Sequence, residues 1–96
     1  MPSFEHHCRE SVERFGKRYE EVHRWLDEYA GAPRIGMRHR AKRHHAEGIE
    51  ECVRRFGEEV REVAREHIIS DLHSEGWTEE YPFPRNERHY RKMGLF

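Results

Sequence analysis

Apolar residues recur at helical spacing through most of the chain. In the first segment they fall at every third or fourth position, at Phe4, Cys8, Val12 and Phe15. Ser3 is a residue type that caps helix N-termini, and Gly16 is the type that ends helices. The pattern therefore predicts a first helix between Ser3 and Gly16.

Three further segments repeat this pattern. The second predicted helix spans residues 19–30, the third and longest runs from about Met37 to Phe56, and the fourth spans residues 60–71 and fades in "HSEG". "GAPRIG", residues 31–36, separates the second helix from the third, and Gly57 ends the third. After Gly76, prolines and aromatic residues replace the periodicity. This indicates a tail that lies over the helices, with room for one short helix.

Two stretches of the chain resemble each other. "VERFGKRYEEV" (12–22) and "VRRFGEEVREV" (53–63) share Val, Arg, Phe, Gly and the final Val at one offset. Each would be a helix end, a glycine turn and the start of the next helix, produced by duplication or by convergence. We therefore predict an all-α fold, a bundle of four main helices arranged as two helical hairpins. The bundle occupies residues 1–76, and an irregular aromatic C-terminal tail, residues 77–96, packs over it.

The composition agrees with an ordered, highly charged helical domain. A length of 96 residues fits one domain with a core of modest size, and 34% of the residues are hydrophobic against 39% charged. Two Trp, four Tyr and five Phe supply large apolar surfaces, which argues against a disordered chain. The formal net charge of -1 excludes a general binder of polyanions.

Cysteine content and hydropathy indicate the cellular compartment in which the protein is expected. Cys8 and Cys52 are too few for a Cys-rich zinc knuckle or a dense disulfide framework, although one bridge between them stays open. No apolar run reaches about 18 residues, so the sequence predicts no transmembrane helix. A soluble cytoplasmic protein is the expectation.

Histidines stand on the apolar faces of three predicted helices. At about 100° per residue, His23, His45 and His67 fall inside the apolar stripes of the second, third and fourth helices. His23 and His67 are each followed four residues later by an aspartate, Asp27 and Asp71. Residues four apart lie on one ridge of a helix, so the imidazole and the carboxylate can bind one metal ion, or the carboxylate can orient the imidazole.

The sequence therefore predicts a metal-binding helical protein with a His/Asp cluster inside the bundle. The first-choice ligands are His23, His45 and His67, and the further ligands or ligand partners are His7, His44, Asp27 and Asp71. These donors suit a divalent transition metal (zinc, iron, manganese or nickel) without distinguishing among the four. With an open coordination position, the metal would activate water to hydrolyse a phosphate-containing substrate, whose anion Arg38 and Arg40 would hold. We place the remaining histidines, His6, His39, His73 and His89, outside the cluster.

Two other interpretations fit the sequence. Cations crowd the tail at Arg85, Arg88, Arg91 and Lys92, with Tyr90 among them. They favour a binding module that grips nucleic acid or a protein partner without catalysis, through phosphate contacts beside an aromatic platform. In the third interpretation the histidines form a buried hydrogen-bond network and bind no ligand. The low apolar content also makes a homodimer an open expectation.

The pattern of polar positions resembles a known family. The stretches that carry the resemblance are "HHCRESVERFG", "VHRWLDE", "RHRAKRHHAEGIEECVRRFG" and "REHIISDL", which cover most of the first 72 residues. They are similar to a small family of bacterial and phage proteins that is classed as a domain of unknown function. The resemblance implies that Arg38-His39-Arg40, His44-His45 and Gly48 act as a set with the later His67 and Asp71. It implies no particular reaction.

Overall fold

The computed structural model describes residues 3–28 and 40–94. Its helices are α1 (Phe4–Phe15), α2 (Glu20–Leu26), α3 (Arg40–Arg43), α4 (Ala46–Phe56), α5 (Arg61–Ser74) and α6 (Glu87–Lys92), with a 3-10 turn at Glu58–Val60 before α5. Four of these helices have seven or more residues, and the described residues contain no β-strand. The predicted all-α fold is therefore confirmed.

The first helix has the boundaries that the sequence predicts. The Ser3 side chain accepts a hydrogen bond from the backbone N–H of His6 at 3.2 Å, which satisfies one of the free donors of the first turn. Gly16 ends the helix in the left-handed region, with φ 80°, and its N–H donates to the Val12 carbonyl at 3.0 Å. A residue with a side chain rarely adopts this conformation, which is why glycine stands here.

The predicted long third helix is wrong at its centre. The chain leaves helical geometry at His44 and His45, so that α3 and α4 are separate helices. His45 has extended backbone angles and caps α4, because its Nδ1 accepts a hydrogen bond from the N–H of Gly48 at 3.0 Å. The apolar periodicity continues across this break and therefore gives no sign of it. Residues 29–39 lie outside the described residues; they include the "GAPRIG" break, Arg38 and His39.

The helices pack as two hairpins around one core. Helix α1 contacts α2, and α4 contacts α5, while α2 also lies against α4 and α5. The buried apolar residues include Val22, Leu26, Cys52, Ile68 and Leu72. Cys8 and Cys52 are both buried and free, so the disulfide left open by the sequence does not form.

The tail packs over the bundle as predicted and carries the short helix α6. Trp77 and Tyr90 are buried in the common core. The carbonyls of Pro84 and Arg85 accept hydrogen bonds from the first two N–H groups of α4, at 2.9 and 3.0 Å. Helix α6 lies against α3. The tail thus holds α3 and the start of α4 in place, while a domain boundary at residue 76 stays a prediction. Of the helices in the described ranges, none has the length and apolar character needed to cross a bilayer.

A candidate metal centre

Asp71 lies at the centre of a buried cluster contributed by several helices. It is on α5 with 1% of its surface exposed. Its Oδ1 lies 3.0 Å from Nε2 of His7 and 3.5 Å from Nη2 of Arg40. Its Oδ2 lies 2.8 Å from Nε2 of His44 and 3.3 Å from Nε2 of His67. One carboxylate therefore collects three imidazoles and a guanidinium in the protein interior.

Asp27 supplies a second carboxylate to the same cluster. It is the C-cap residue of α2, and its N–H donates to the His23 carbonyl at 3.2 Å. Its Oδ1 lies 3.4 Å from His44 Nε2, and its Oδ2 lies 3.4 Å from His67 Nε2. His44 and His67 therefore each face both carboxylates. Asp27 is 26% exposed, which makes it the cluster member nearest to solvent.

The break between α3 and α4 brings His44 into the cluster. A β-carbon at Gly48 would lie 1.9 Å from the Arg43 carbonyl oxygen, so the first turn of α4 rests directly on the end of α3. His45 stabilises this turn as its cap. With the chain turned in this way, the His44 side chain is fully buried and its Nε2 points at Asp71.

A second branch of the cluster leads from His67 towards α1. Nδ1 of His67 lies 2.8 Å from Nδ1 of His23, and Nε2 of His23 lies 2.7 Å from the Ser11 hydroxyl. The ring of His7 stacks on that of His67, with centroids 3.7 Å apart and an interplanar angle of 19°. Burial, together with the neighbouring His67 and His7, lowers the pKa of His23 to about 3. His23 is therefore neutral at physiological pH, and at this distance one of the two Nδ1 atoms donates a hydrogen bond to the other.

The electrostatics of the cluster favour ionised carboxylates. Burial alone would raise the pKa of Asp71, but the imidazoles of His44 and His67 outweigh it and hold this pKa well below its usual range. Burial would also raise the pKa of Asp27, and the imidazoles of His44 and His67 hold that pKa well below its usual range too. Burial would lower the pKa of His67, but the two carboxylates outweigh it and raise this pKa. Burial lowers the pKa of His7, even against its contact with Asp71.

The Nε2 atom of His67 lies at a position where a cation can bind. It is buried between Asp27 and Asp71 and has no aligned hydrogen-bond partner among the described residues. When the proton of a neutral His67 is on Nδ1 and shared with His23, the lone pair of Nε2 faces two negative oxygens. This tautomer needs a positive charge between these atoms, either a second proton on His67 or a metal ion, whereas a neutral His67 that carries its proton on Nε2 and accepts from His23 at Nδ1 does not.

The spacing of the donor atoms suits a metal ion. Bonds of about 2.0–2.2 Å place neighbouring ligand atoms about 2.8–3.6 Å apart in octahedral to tetrahedral geometry. The five imidazole–carboxylate separations in the cluster run from 2.8 to 3.4 Å. His7, Asp27, His67 and Asp71 can bring one donor atom each within 4.8 Å of all the others, and so can His7, His23 and His67. The first set is the better metal candidate, because the second has no carboxylate to balance a divalent charge.

The structure does not bring every predicted site residue to this cluster. Both ring nitrogens of His45 are engaged locally, with the N–H of Gly48 and, at 3.1 Å, the carbonyl of Lys42. Arg40 is buried, and its guanidinium pairs with Asp71 and, at 2.6 Å, with Glu75, so it faces the protein and not solvent. His6 and His73 are exposed and His89 is half-buried, outside the cluster as we predict.

Sequence reasoning missed Ser11 and Glu75. Ser11 lies four residues after His7 on α1, and Glu75 lies four residues after Asp71 at the end of α5. Residues four apart share a helix face, so the same rule that selects the His–Asp pairs could have found both.

The cations of the tail lie on the protein surface. The side chains in question are Arg85, Arg88, Arg91 and Lys92, and all four are exposed. Arg91 pairs with Glu87 at 2.8 Å. Tyr90 was expected among them as a stacking platform, and this is wrong, because its ring is fully buried and its hydroxyl donates to Glu75 at 2.8 Å.

Comparison with known proteins places the chain without assigning it an activity. A family model described as a domain of unknown function, DUF6915, matches residues 2–82. No curated protein and no solved structure matches the chain.

Proposed function

The chain belongs to this family of domains of unknown function, and we propose that the protein binds one divalent transition-metal ion in the buried cluster. His67, Asp27 and Asp71 are the central ligands, and His7 and His44 are the further candidates. The observation that carries the proposal is the convergence of imidazole nitrogens, at 2.8–3.4 Å, on the buried carboxylate of Asp71 and the partly exposed carboxylate of Asp27.

The charges around the cluster support a divalent ion. The formal charges of Asp27 and Asp71 balance a divalent cation, and Arg40 and Glu75 balance each other at 2.6 Å. With neutral imidazoles these side chains then carry no net charge among the described residues, which is the arrangement that costs least in a low-dielectric interior. Imidazole nitrogen and carboxylate oxygen together suit zinc, iron, manganese or nickel, and these four remain the candidates.

A hydrolytic role would use the side of the site at Asp27. A metal with an open coordination position lowers the pKa of bound water to about 7, which supplies hydroxide at neutral pH. Asp27 is the most exposed member of the cluster, so water or a phosphate oxygen would approach there. Arg40 would act indirectly, by orienting Asp71, and not as the anion clamp that its position in the sequence favours.

Metal analysis of untagged protein tests the proposal. We expect about one equivalent of zinc, iron, manganese or nickel, and a rise in melting temperature when the preferred ion is restored to chelator-treated protein, because an ion that binds only the folded state stabilises it. His67→Gln should remove both effects. His73→Gln, on the exposed side of the same helix, is the matched control and should keep them. Less than about 0.2 equivalents, with no shift on adding any of the four ions, would favour the buried hydrogen-bond network instead.

A nucleic-acid or protein-binding role is the second candidate. It is supported by the exposure of four tail cations, Arg85, Arg88, Arg91 and Lys92. Arg88→Gln with Arg91→Gln should then abolish binding to single-stranded nucleic acid, and the wild-type affinity should fall as salt rises, because phosphate contacts release counterions. Filter binding across a salt series measures both. Binding that is equal in wild type and the double variant, or that ignores salt, contradicts this role.

A further inference from the structure

A chain of polar contacts joins the C-terminal helix to the carboxylate at the centre of the cluster. The Tyr90 hydroxyl on α6 donates to Glu75 Oε2 at 2.8 Å. The other oxygen of Glu75 accepts from Arg40 Nη1 at 2.6 Å, and Nη2 of Arg40 lies 3.5 Å from Asp71 Oδ1. All four side chains are at least nine-tenths buried. These four side chains have few alternative conformations, because moving any one of them would leave a buried polar group without a partner.

The tail also fixes the segment on which Arg40 and His44 lie. Helix α6 contacts α3, and Lys42 on α3 lies 3.3 Å from Glu87 on α6. The backbone carbonyls of Pro84 and Arg85 accept from Ala46 and Glu47, just after the break at His44. The position of the tail therefore determines where the guanidinium of Arg40 and the imidazole of His44 meet Asp71.

We propose that the C-terminal helix sets the metal affinity of the cluster through the Tyr90–Glu75–Arg40–Asp71 chain. This inference rests on the proposed metal binding. Tyr90 and Glu75 are positioning residues: Glu75 binds Nη1 of the Arg40 guanidinium, and Nη2 of the same group then orients the Asp71 carboxylate towards the ion. Groups that hold a metal ligand through hydrogen bonds change metal affinity about 10–100-fold when they are removed.

Two variants test the contacts from Tyr90 through Glu75 and Arg40 to Asp71, each with a matched control. Glu75→Gln removes the charge that holds Arg40 and should weaken Zn²⁺ binding about 10-fold, the lower end of the range for direct partners of a ligand, because Glu75 acts through Arg40. Tyr90→Phe removes the hydrogen bond to Glu75 and should weaken Zn²⁺ binding less, about 3-fold, which is below that range because Tyr90 acts through both Glu75 and Arg40. The controls are Glu79→Gln and Tyr81→Phe. Both side chains are exposed, and the ion pair of Glu79 is with His73, outside the set of contacts that is tested. Competition with a chromophoric chelator measures the Kd, and circular dichroism checks that each variant is folded.

The visible spectrum of bound Co²⁺ separates positioning from packing. We expect the Co²⁺ bands of Glu75→Gln and Tyr90→Phe to shift relative to wild type, because a reoriented Asp71 changes the ligand field, while both controls keep the wild-type bands. A lowered melting temperature with unchanged Kd and unchanged Co²⁺ bands would overturn the inference and leave metal binding intact. If wild type binds neither Zn²⁺ nor Co²⁺, the proposed function fails first. If Glu75→Gln does not fold, Tyr90→Phe decides by the same two measurements.

Discussion

Asp71→Asn is expected to abolish metal binding and to lower the free energy of unfolding by about 3–5 kcal/mol, the cost of breaking a buried ion pair from one side. The amide has the shape of the carboxylate but no charge. His7, His44 and Arg40 would each lose the anion that they face at 2.8–3.5 Å. The NH₂ group of the asparagine would also point at a donor, since every contact that Asp71 makes with these side chains comes from a nitrogen.

Asp27→Asn is the matched variant for Asp71→Asn. Asp27 is 26% exposed and faces two imidazoles at 3.4 Å, so water can replace part of what it loses. We expect a clear loss of metal affinity with a loss of stability below about 1 kcal/mol, as for partly exposed pairs. Urea unfolding of chelator-treated protein measures stability apart from metal, and element analysis measures occupancy. Stoichiometric metal in Asp71→Asn, or equal stability losses in the two variants, would show that Asp71 is not the centre of the site.

The contrast between these two aspartates shows what sequence spacing can predict. His67 and Asp71 lie within one helix, so the four-residue rule correctly places them in contact, at 3.3 Å. The same rule does not find the hydrogen-bond and ion-pair partners of His23 and Asp27, although the N–H of Asp27 still donates to the His23 carbonyl at 3.2 Å. Asp27 meets His44 and His67 instead, and His23 meets Ser11 and His67. Contacts across helices depend on packing that no spacing within one helix contains.

The roles of His44 and His45 show a related limit, which is that apolar periodicity does not predict where a helix breaks. A continuous helix would point His45 at the core and leave His44 at its border. The chain instead breaks between them, so His45 becomes a helix cap and His44 enters the cluster. Histidine is an uncommon N-cap, and the apolar period runs on through the break. The one sequence signal for a break is Gly48, since glycine inside an apolar helix often marks a close backbone approach.

The tail was predictable as a tail, but its contribution to the site was not. The prolines and the loss of periodicity after Gly76 correctly indicate a segment that lies over the bundle. Tyr90 stands between cations in the sequence, which favours a surface position. Its burial follows from the path of residues 77–86, which no local pattern encodes. The chain from Tyr90 through Glu75 to Arg40 is therefore visible only in the folded protein.

Gly48→Ala is expected to destabilise the protein by about 3 kcal/mol, the upper part of the range for overpacking, and to weaken metal binding as well. The added β-carbon would lie 1.9 Å from the Arg43 carbonyl oxygen and 2.6 Å from its carbon, so backbone must move on one side or the other. Either movement displaces the turn that carries His44. Intrinsic helix propensity alone predicts the opposite sign, a gain of about 1 kcal/mol for alanine over glycine inside a helix.

The sign of the change in the free energy of unfolding of Gly48→Ala therefore decides between the close contact with Arg43 and helix propensity. Urea unfolding of chelator-treated protein gives the stability, and chelator competition gives the Kd for Zn²⁺. Gly16→Ala is the control, because it adds the same methyl group at a helix end with nothing within 4 Å. At φ 80° it should cost about 1–2 kcal/mol from backbone strain and leave metal affinity unchanged. A Gly48→Ala protein as stable as wild type, with wild-type Kd, would mean that α4 does not rest on Arg43 and that His44 is not held in the cluster by this contact.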